Sequence, residues 1–157
     1  FYDKSIFKRE EYEMEIINHL KQFNVDLLVL AGFNFIVSQR FIDSFDNVIN
    51  LHPALYNTFI GWDCARKAYD AYQRNEITHT GSMVHEVIEE LDKGMVIRDI
   101  LVPIYPEDSY EDLESRMKQS EKGILISAIQ HYINIHNENI VKKLIEQNTL
   151  SKINREI

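Results

Sequence analysis

Asp26-Leu27-Leu28-Val29-Leu30-Ala31-Gly32 is the stretch that leaves this chain the fewest folding choices. A strand with one wet face alternates apolar and polar residues. This run does not, so it reads as a parallel strand buried on both faces. Gly32 to Val37 then form a loop, and Ser38 can cap a short helix carrying Phe41, Ile42 and Phe45. A second strand follows from Asn47 to His52. Strand, helix, strand in that rhythm is a right-handed βαβ unit within an α/β sheet.

Upstream, Lys8 to Phe23 has helical spacing, with Tyr12, Ile16, Leu20 and Phe23 on one face. Asn24 suits the left-handed residue that closes such a helix. Arg9 falls in its first turn, against the helix dipole. It is either a solvated side chain or a contact for an anionic ligand. Downstream, Pro53 to Gly61 is loop. A helix then spans about Trp62 to Arg74, with Ala65, Ala68, Tyr69 and Tyr72 as its buried stripe. Cys64 beside that stripe reads as a small packed hydrophobe. Thr80 to Ile88 alternates enough to be a strand near a sheet edge. Glu89 to Gly94 is an acidic loop in which Gly94 permits a tight turn. Met95 to Pro103 is a strand antiparallel to the one before, so the sheet is mixed. Ser109-Tyr110-Glu111-Asp112 makes a capping box. It opens a long helix to about His136, with Leu113, Met117, Ile124 and Ala128 facing inward. One domain over 1–137 and a helical appendage over 138–157 are expected.

The charge balance narrows the function classes. Net charge is −8, from 25 acidic against 17 basic residues. Nucleic-acid binding needs a basic footprint, which this balance opposes. The single cysteine can form no disulfide within the chain. No apolar run reaches the ~18 residues of a membrane span. A cytoplasmic, reducing location is the simple expectation.

Val48-Ile49-Asn50-Leu51-His52-Pro53 holds the chemistry. Side chains alternate along a strand, so Asn50 and His52 face the same way, roughly 6.5 Å apart at strand rise, and Leu51 faces packing. An amide N–H can hold a developing oxyanion while an imidazole moves a proton. The same residues also fit a polar strand end stopped by Pro53. His85, on one face with Met83 and Val87, is open to two readings, a hydrogen-bonded core histidine or a site residue. Zinc sites bring ligands close in sequence, as H-x-x-x-H or C-x-x-C; His52, His85 and Asp92 do not, so no metal is expected. A G-x-S-x-G elbow and a G-x-G-x-x-G loop are also missing. Asn, His and Asp at the strand ends of a mixed sheet suit acyl-type transfer.

Four motifs occur in a recognisable order: Asp26 to Phe33, Asn50-Leu51-His52-Pro53-Ala54-Leu55, Gly81-Ser82-Met83-Val84-His85, and Glu90-Leu91-Asp92-Lys93-Gly94. In these, from about Arg9 to Tyr132, the chain resembles the phosphoribosylglycinamide formyltransferases. The resemblance implies an α/β, Rossmann-like, mixed and mostly parallel sheet flanked by helices. It implies transfer of a formyl group from 10-formyltetrahydrofolate, a co-substrate, to glycinamide ribonucleotide. Asn50 would bind the formyl oxygen, His52 would act as general acid, and Asp92 would keep His52 protonated. His85 would support them. The folate would lie against Asn34, Phe35, Ile36 and Val37 and against Ile88, Glu89, Glu90, Leu91 and Asp92, with Asn50 between and Arg9 meeting it. Lys118, Gln119, Ser120 and Glu121 would meet the ribonucleotide, Glu121 at the ribose. A related hydrolase of formyl-folate and a non-catalytic binding relative are the alternatives.

Three departures from the family pattern stand out. Phe35 occupies a position usually held by Arg. Tyr56-Asn57 stand where a loop proline is expected. Nothing ahead of Asp26 matches the family's first strand and glycine-rich phosphate loop. An incomplete member is therefore expected, with one side of the Asp26–Gly32 strand an open edge prone to self-pairing.

Overall fold

The computed structural model describes residues 8–153. The elements run α1 (Arg9–Leu20), a 3-10 turn (Lys21–Phe23), β1 (Leu28–Ala31), α2 (Gln39–Ile42) and β2 (Val48–His52). They continue with α3 (Cys64–Gln73), β3 (His79–Glu86), β4 (Val96–Pro103) and α4 (Tyr110–Ile153). One four-stranded sheet has the order β1-β2-β3-β4. β1 and β2 are parallel, joined through α2 as the βαβ pattern requires. β3 is antiparallel to both β2 and β4, so the sheet is mixed as expected and its parallel part is the β1 side.

Strand alternation sorts the core into two layers. Leu28, Leu30 and Val48 pack with Ile17 of α1 and Val37 and Phe41 around α2. Val29, Ile49, Leu51 and Val84 pack on the other face against Ile124 and Ala128 of α4. A third cluster joins Val102 and Ile104 to Leu113 and Met117, with Ala65, Tyr69 and Tyr72 of α3 against it. The expected stripe of α4 is thus the buried one, whereas in α3 the buried residues are Cys64, Ala68 and Ala71, with Ala65, Tyr69 and Tyr72 half-buried beside them. Ser38 caps α2, its Oγ accepting from Phe41 N at 3.2 Å. Asn24 closes the first helical segment at φ 47°. The Ser109–Asp112 box is reciprocal: Ser109 N donates to Asp112 Oδ2 at 3.0 Å, and Asp112 N donates to Ser109 Oγ at 3.2 Å.

Four expectations are corrected. The inward stripe of α1 is Glu13 and Ile17, flanked by Met14 and Ile16, while Phe23 is 64 % exposed. The stripe is rotated because the Glu13 carboxylate faces inward to meet Ser38. β1 lies at the sheet edge but is not buried on both faces: Leu30 is buried, Leu28 and Val29 half-buried, and Ala31 exposed. Its outer side is unpaired among the described residues. β3 is interior, with Thr80 to His85 all buried; two of the polar residues that mimicked a wet face, Ser82 and His85, turn to partners instead. Gly94 serves close approach rather than a turn: a Cβ there would sit 1.8 Å from the Glu86 carbonyl oxygen. Helix α4 is continuous past residue 137, with Glu138, Asn139 and Lys142 exposed. The side chains of Ile140, Val141 and all positions past Lys142 lie outside the described residues, as do residues 1–7 and 154–157.

Candidate active site

β2 and β3 set the site by register. Asn50 and His52 share one face of β2, and Asn50 lies opposite His85 of β3. Ladder positions directly opposite each other bring side chains into contact. The Asn50 Nδ2 and His85 Nε2 atoms are 3.2 Å apart. The other ring nitrogen of His85, Nδ1, is 2.7 Å from the Glu86 carbonyl. A carbonyl only accepts, so Nδ1 carries a proton.

The loop after β3 returns Asp92 over both histidines. Its Oδ1 lies 3.5 Å from His52 Nδ1 and 3.6 Å from His85 Nε2. Its Oδ2 accepts the backbone N–H of Gly61 at 2.9 Å. Asp92 holds a left-handed backbone, φ 56°, a conformation that aspartate tolerates better than most residues. Burial pushes the Asp92 carboxyl up, but His85, the Gly61 N–H and His52 together outweigh it and hold the carboxyl below the ordinary 3.8. Asp92 is therefore the fixed negative charge between two imidazoles.

His52 is nearly enclosed. Its Nε2 donates to the Phe59 carbonyl at 2.8 Å, and its Nδ1 faces the Asp92 carboxylate. Both neighbours are acceptors, so each ring nitrogen of His52 faces a group that can receive an N–H. Cys64 Sγ is 3.7 Å from His52 Nε2 and donates to the Gly61 carbonyl at 3.2 Å. Burial dominates its environment and pushes the thiol up to about 11, against the lowering influence of Lys67. A thiol so protonated is a packing group, not a nucleophile.

The two loops around the site are tied together. Lys93 bonds Asn57 Oδ1 and lies 5.6 Å from the Tyr56 ring centroid, so the residues at the departure from the family's proline anchor the Asp92 loop. Lys67 Nζ donates to the Ile60 carbonyl at 2.8 Å. A left-handed Gly61, φ 76°, lets its N–H reach Asp92.

A cavity of about 230 Å³ opens over the carboxyl ends of β1 and β2. That is the general location of ligand sites in open α/β sheets. Asn34, Phe35, Ile36, Val37, Asn50, His52, His85, Ile88, Glu89, Leu91, Asp92 and Glu121 all line it, each an expected site residue. Glu121 is half-buried and bonded by Ser82 Oγ at 3.4 Å; burial raises its carboxyl above the ordinary value, against Ser82 and Lys118. Glu90 is not in the wall. Lys118 and Gln119 are exposed on α4, Lys118 paired to Glu114 at 3.0 Å, and Ser120 Oγ donates to the Met117 carbonyl at 2.7 Å. Arg9 is also outside the wall, 3.1 Å from Glu13 and half exposed. The wall contains groups the sequence reading missed, above all Gly61, Trp62 and Asp63. Trp62 is 65 % exposed at the rim, and a lone tryptophan beside a glycine was the available signal.

Comparison with known proteins agrees with this architecture. The family described as Formyl transferase matches residues 1–129. A phosphoribosylglycinamide formyltransferase of Dictyostelium discoideum is 38 % identical over 129 residues, covering 78 % of this chain and 63 % of its own length. The enzyme of the same name from Escherichia coli is 34 % identical over 117 residues, covering 74 % and 53 %. The crystal structure of glycinamide ribonucleotide transformylase 1 from Geobacillus kaustophilus superposes with a TM-score of 0.75 at 31 % identity, covering 84 % of this chain and 69 % of that one. The chain spans less than two thirds of the length of these curated relatives. On the matched family, the shared sheet and the relatives' identity, the chain belongs to the formyl transferase family.

Proposed function

We propose that this chain carries the formyl-transfer site of a phosphoribosylglycinamide formyltransferase. It moves a formyl group from 10-formyltetrahydrofolate to the amine of glycinamide ribonucleotide, in purine biosynthesis. One observation supports this most: Asp92 sits 3.5 Å and 3.6 Å from two histidines, one of them bonded to Asn50, and all four line one cavity.

The chemistry follows from those positions. The amine nitrogen attacks the formyl carbon, and the carbonyl electrons move to oxygen. An Asn50 N–H meets that oxyanion, a contact worth ~3 kcal/mol in comparable sites. The bond to the folate nitrogen then breaks, and that nitrogen takes a proton while the attacking nitrogen gives one up. His52 and Asp92 carry the exchange, Asp92 stabilising the protonated ring. The folate rings lie against Asn34–Val37 and the Ile88–Asp92 loop, and Glu121 reaches the ribose. Arg9 meets the anionic end of the folate beyond Ser38. Residues 1–137 form the catalytic unit, residues 138–157 an appendage. A cytoplasmic location and self-pairing along the outer side of β1 complete the reading. Among the described residues, no helix is long and apolar enough to cross a membrane.

Trp62, the only tryptophan, reports occupancy directly. Titration with a non-transferring 10-formyl folate analogue is expected to change its fluorescence saturably. With labelled formyl donor, label is expected in the formylated ribonucleotide. Label released as formate at an equal rate without the amine would replace this reading with the hydrolase.

A further inference from the structure

We propose that Glu13 is a positioning residue for the folate-facing wall: it fixes the segment Asn34–Val37 by clamping the peptide that follows it. The inference rests on the folate reading above.

Glu13 is a carboxylate only 6 % exposed, on a helix whose other acidic side chains face water. Removing a carboxylate from water is costly unless donors replace the lost solvent. Three do. Glu13 Oε1 accepts the Ser38 backbone N–H at 2.9 Å and Arg9 Nε–H at 3.1 Å, and Oε2 accepts the Ser38 hydroxyl. Two of the donors belong to the residue immediately after Val37. The same Ser38 Oγ accepts from Phe41 N, so the clamp continues into α2.

The position of this clamp makes it more than packing. The wall is neither helix nor strand. At one end it leaves β1 through Gly32, whose φ of 65° is left-handed. At the other it ends on the Glu13–Ser38 contact. Between them Phe35 and Ile36 stay exposed to the cavity, Phe35 edge-on to Tyr12 with ring centroids 6.0 Å apart. Val37 alone of the four is buried in the core, and packing of one side chain does not orient the backbone that follows it. A charged acceptor does, because it aligns both the N–H and the O–H of Ser38, and bonds to ionised acceptors are the strong ones. Glu13 also holds Arg9 through its Nε, beside a groove lined by Lys8, Arg9, Glu10 and Ser38.

The test uses Glu13→Gln, which keeps size and removes the charge, with Ser38→Ala as a second variant and the exposed Glu15→Gln as control. Two readouts are needed. Amide hydrogen exchange over residues 33–41 is expected to speed up in both variants and not in the control, whatever the ligand. Affinity for the folate analogue, read from Trp62 fluorescence, is expected to fall about tenfold in Glu13→Gln, the scale of a lost bond to a charged group. Turnover at saturating folate is expected to stay unchanged, as it does when uniform binding is lost. The double variant should be less than additive. Wild-type exchange in Glu13→Gln, or faster exchange with undiminished affinity in a wild type that binds the analogue, overturns the proposal. A wild type that does not bind the analogue overturns the folate reading instead, and with it the assignment of the wall's ligand.

Discussion

At the scale of single residues, two buried groups make opposite pH predictions. Asp92 titrates below 3.8 when folded, so it contributes stability fully above the unfolded value and loses it as pH falls through the folded value. Urea unfolding from pH 5 down to 2 is expected to show a smaller acid-side loss in Asp92→Asn than in wild type. Equal slopes would contradict the contacts with His52 and His85. Cys64 is the reverse. Its thiol rises from 9.0 to about 11, so its stabilising effect is complete below pH 9 and is lost as pH climbs toward 11. Labelling by a thiol reagent at pH 8 is expected to be slow in the native protein and fast in urea. Rapid native labelling would show that the thiol is not packed as Cys64 Sγ is here, against the Gly61 carbonyl.

At the scale of elements, α4 separates capping from packing. Ser109→Ala removes the acceptor of Asp112 N and is expected to cost about 1 kcal/mol. Leu113→Ala, one turn on and fully buried, is expected to cost about 2–5 kcal/mol. Denaturant midpoints measure both, and equal losses would contradict the assignment of Leu113 to the core. The same element shows what sequence can carry. Its box and its stripe are local patterns, and both were legible. β3 was misplaced because two of its polar residues find partners from far along the chain: His85 meets Asn50, and Ser82 meets Glu121. Alternation records the polarity of a side chain, not whether a partner waits for it. The α1 stripe failed for the same reason, since nothing near Glu13 in sequence announces Ser38, 25 residues away.

At the scale of the molecule, the site is a product of sheet order. Parallel β1–β2 opens the cavity at its carboxyl end, and antiparallel β3 sets His85 opposite Asn50. The Asp92 loop then closes over both. Asn50 and His52 were legible through strand alternation, and Asp92 through the resemblance. Gly61, Trp62 and Asp63 were not, because their place on the wall depends on how a loop folds back rather than on any periodic pattern. The central claim is that these side chains meet at one site of formyl transfer. Single-turnover transfer from 10-formyltetrahydrofolate to glycinamide ribonucleotide by wild type and Asn50→Ala tests it most directly. The account predicts a loss of about 100-fold or more in the transfer step, well beyond any change in folate affinity; transfer by Asn50→Ala at the wild-type rate would contradict it.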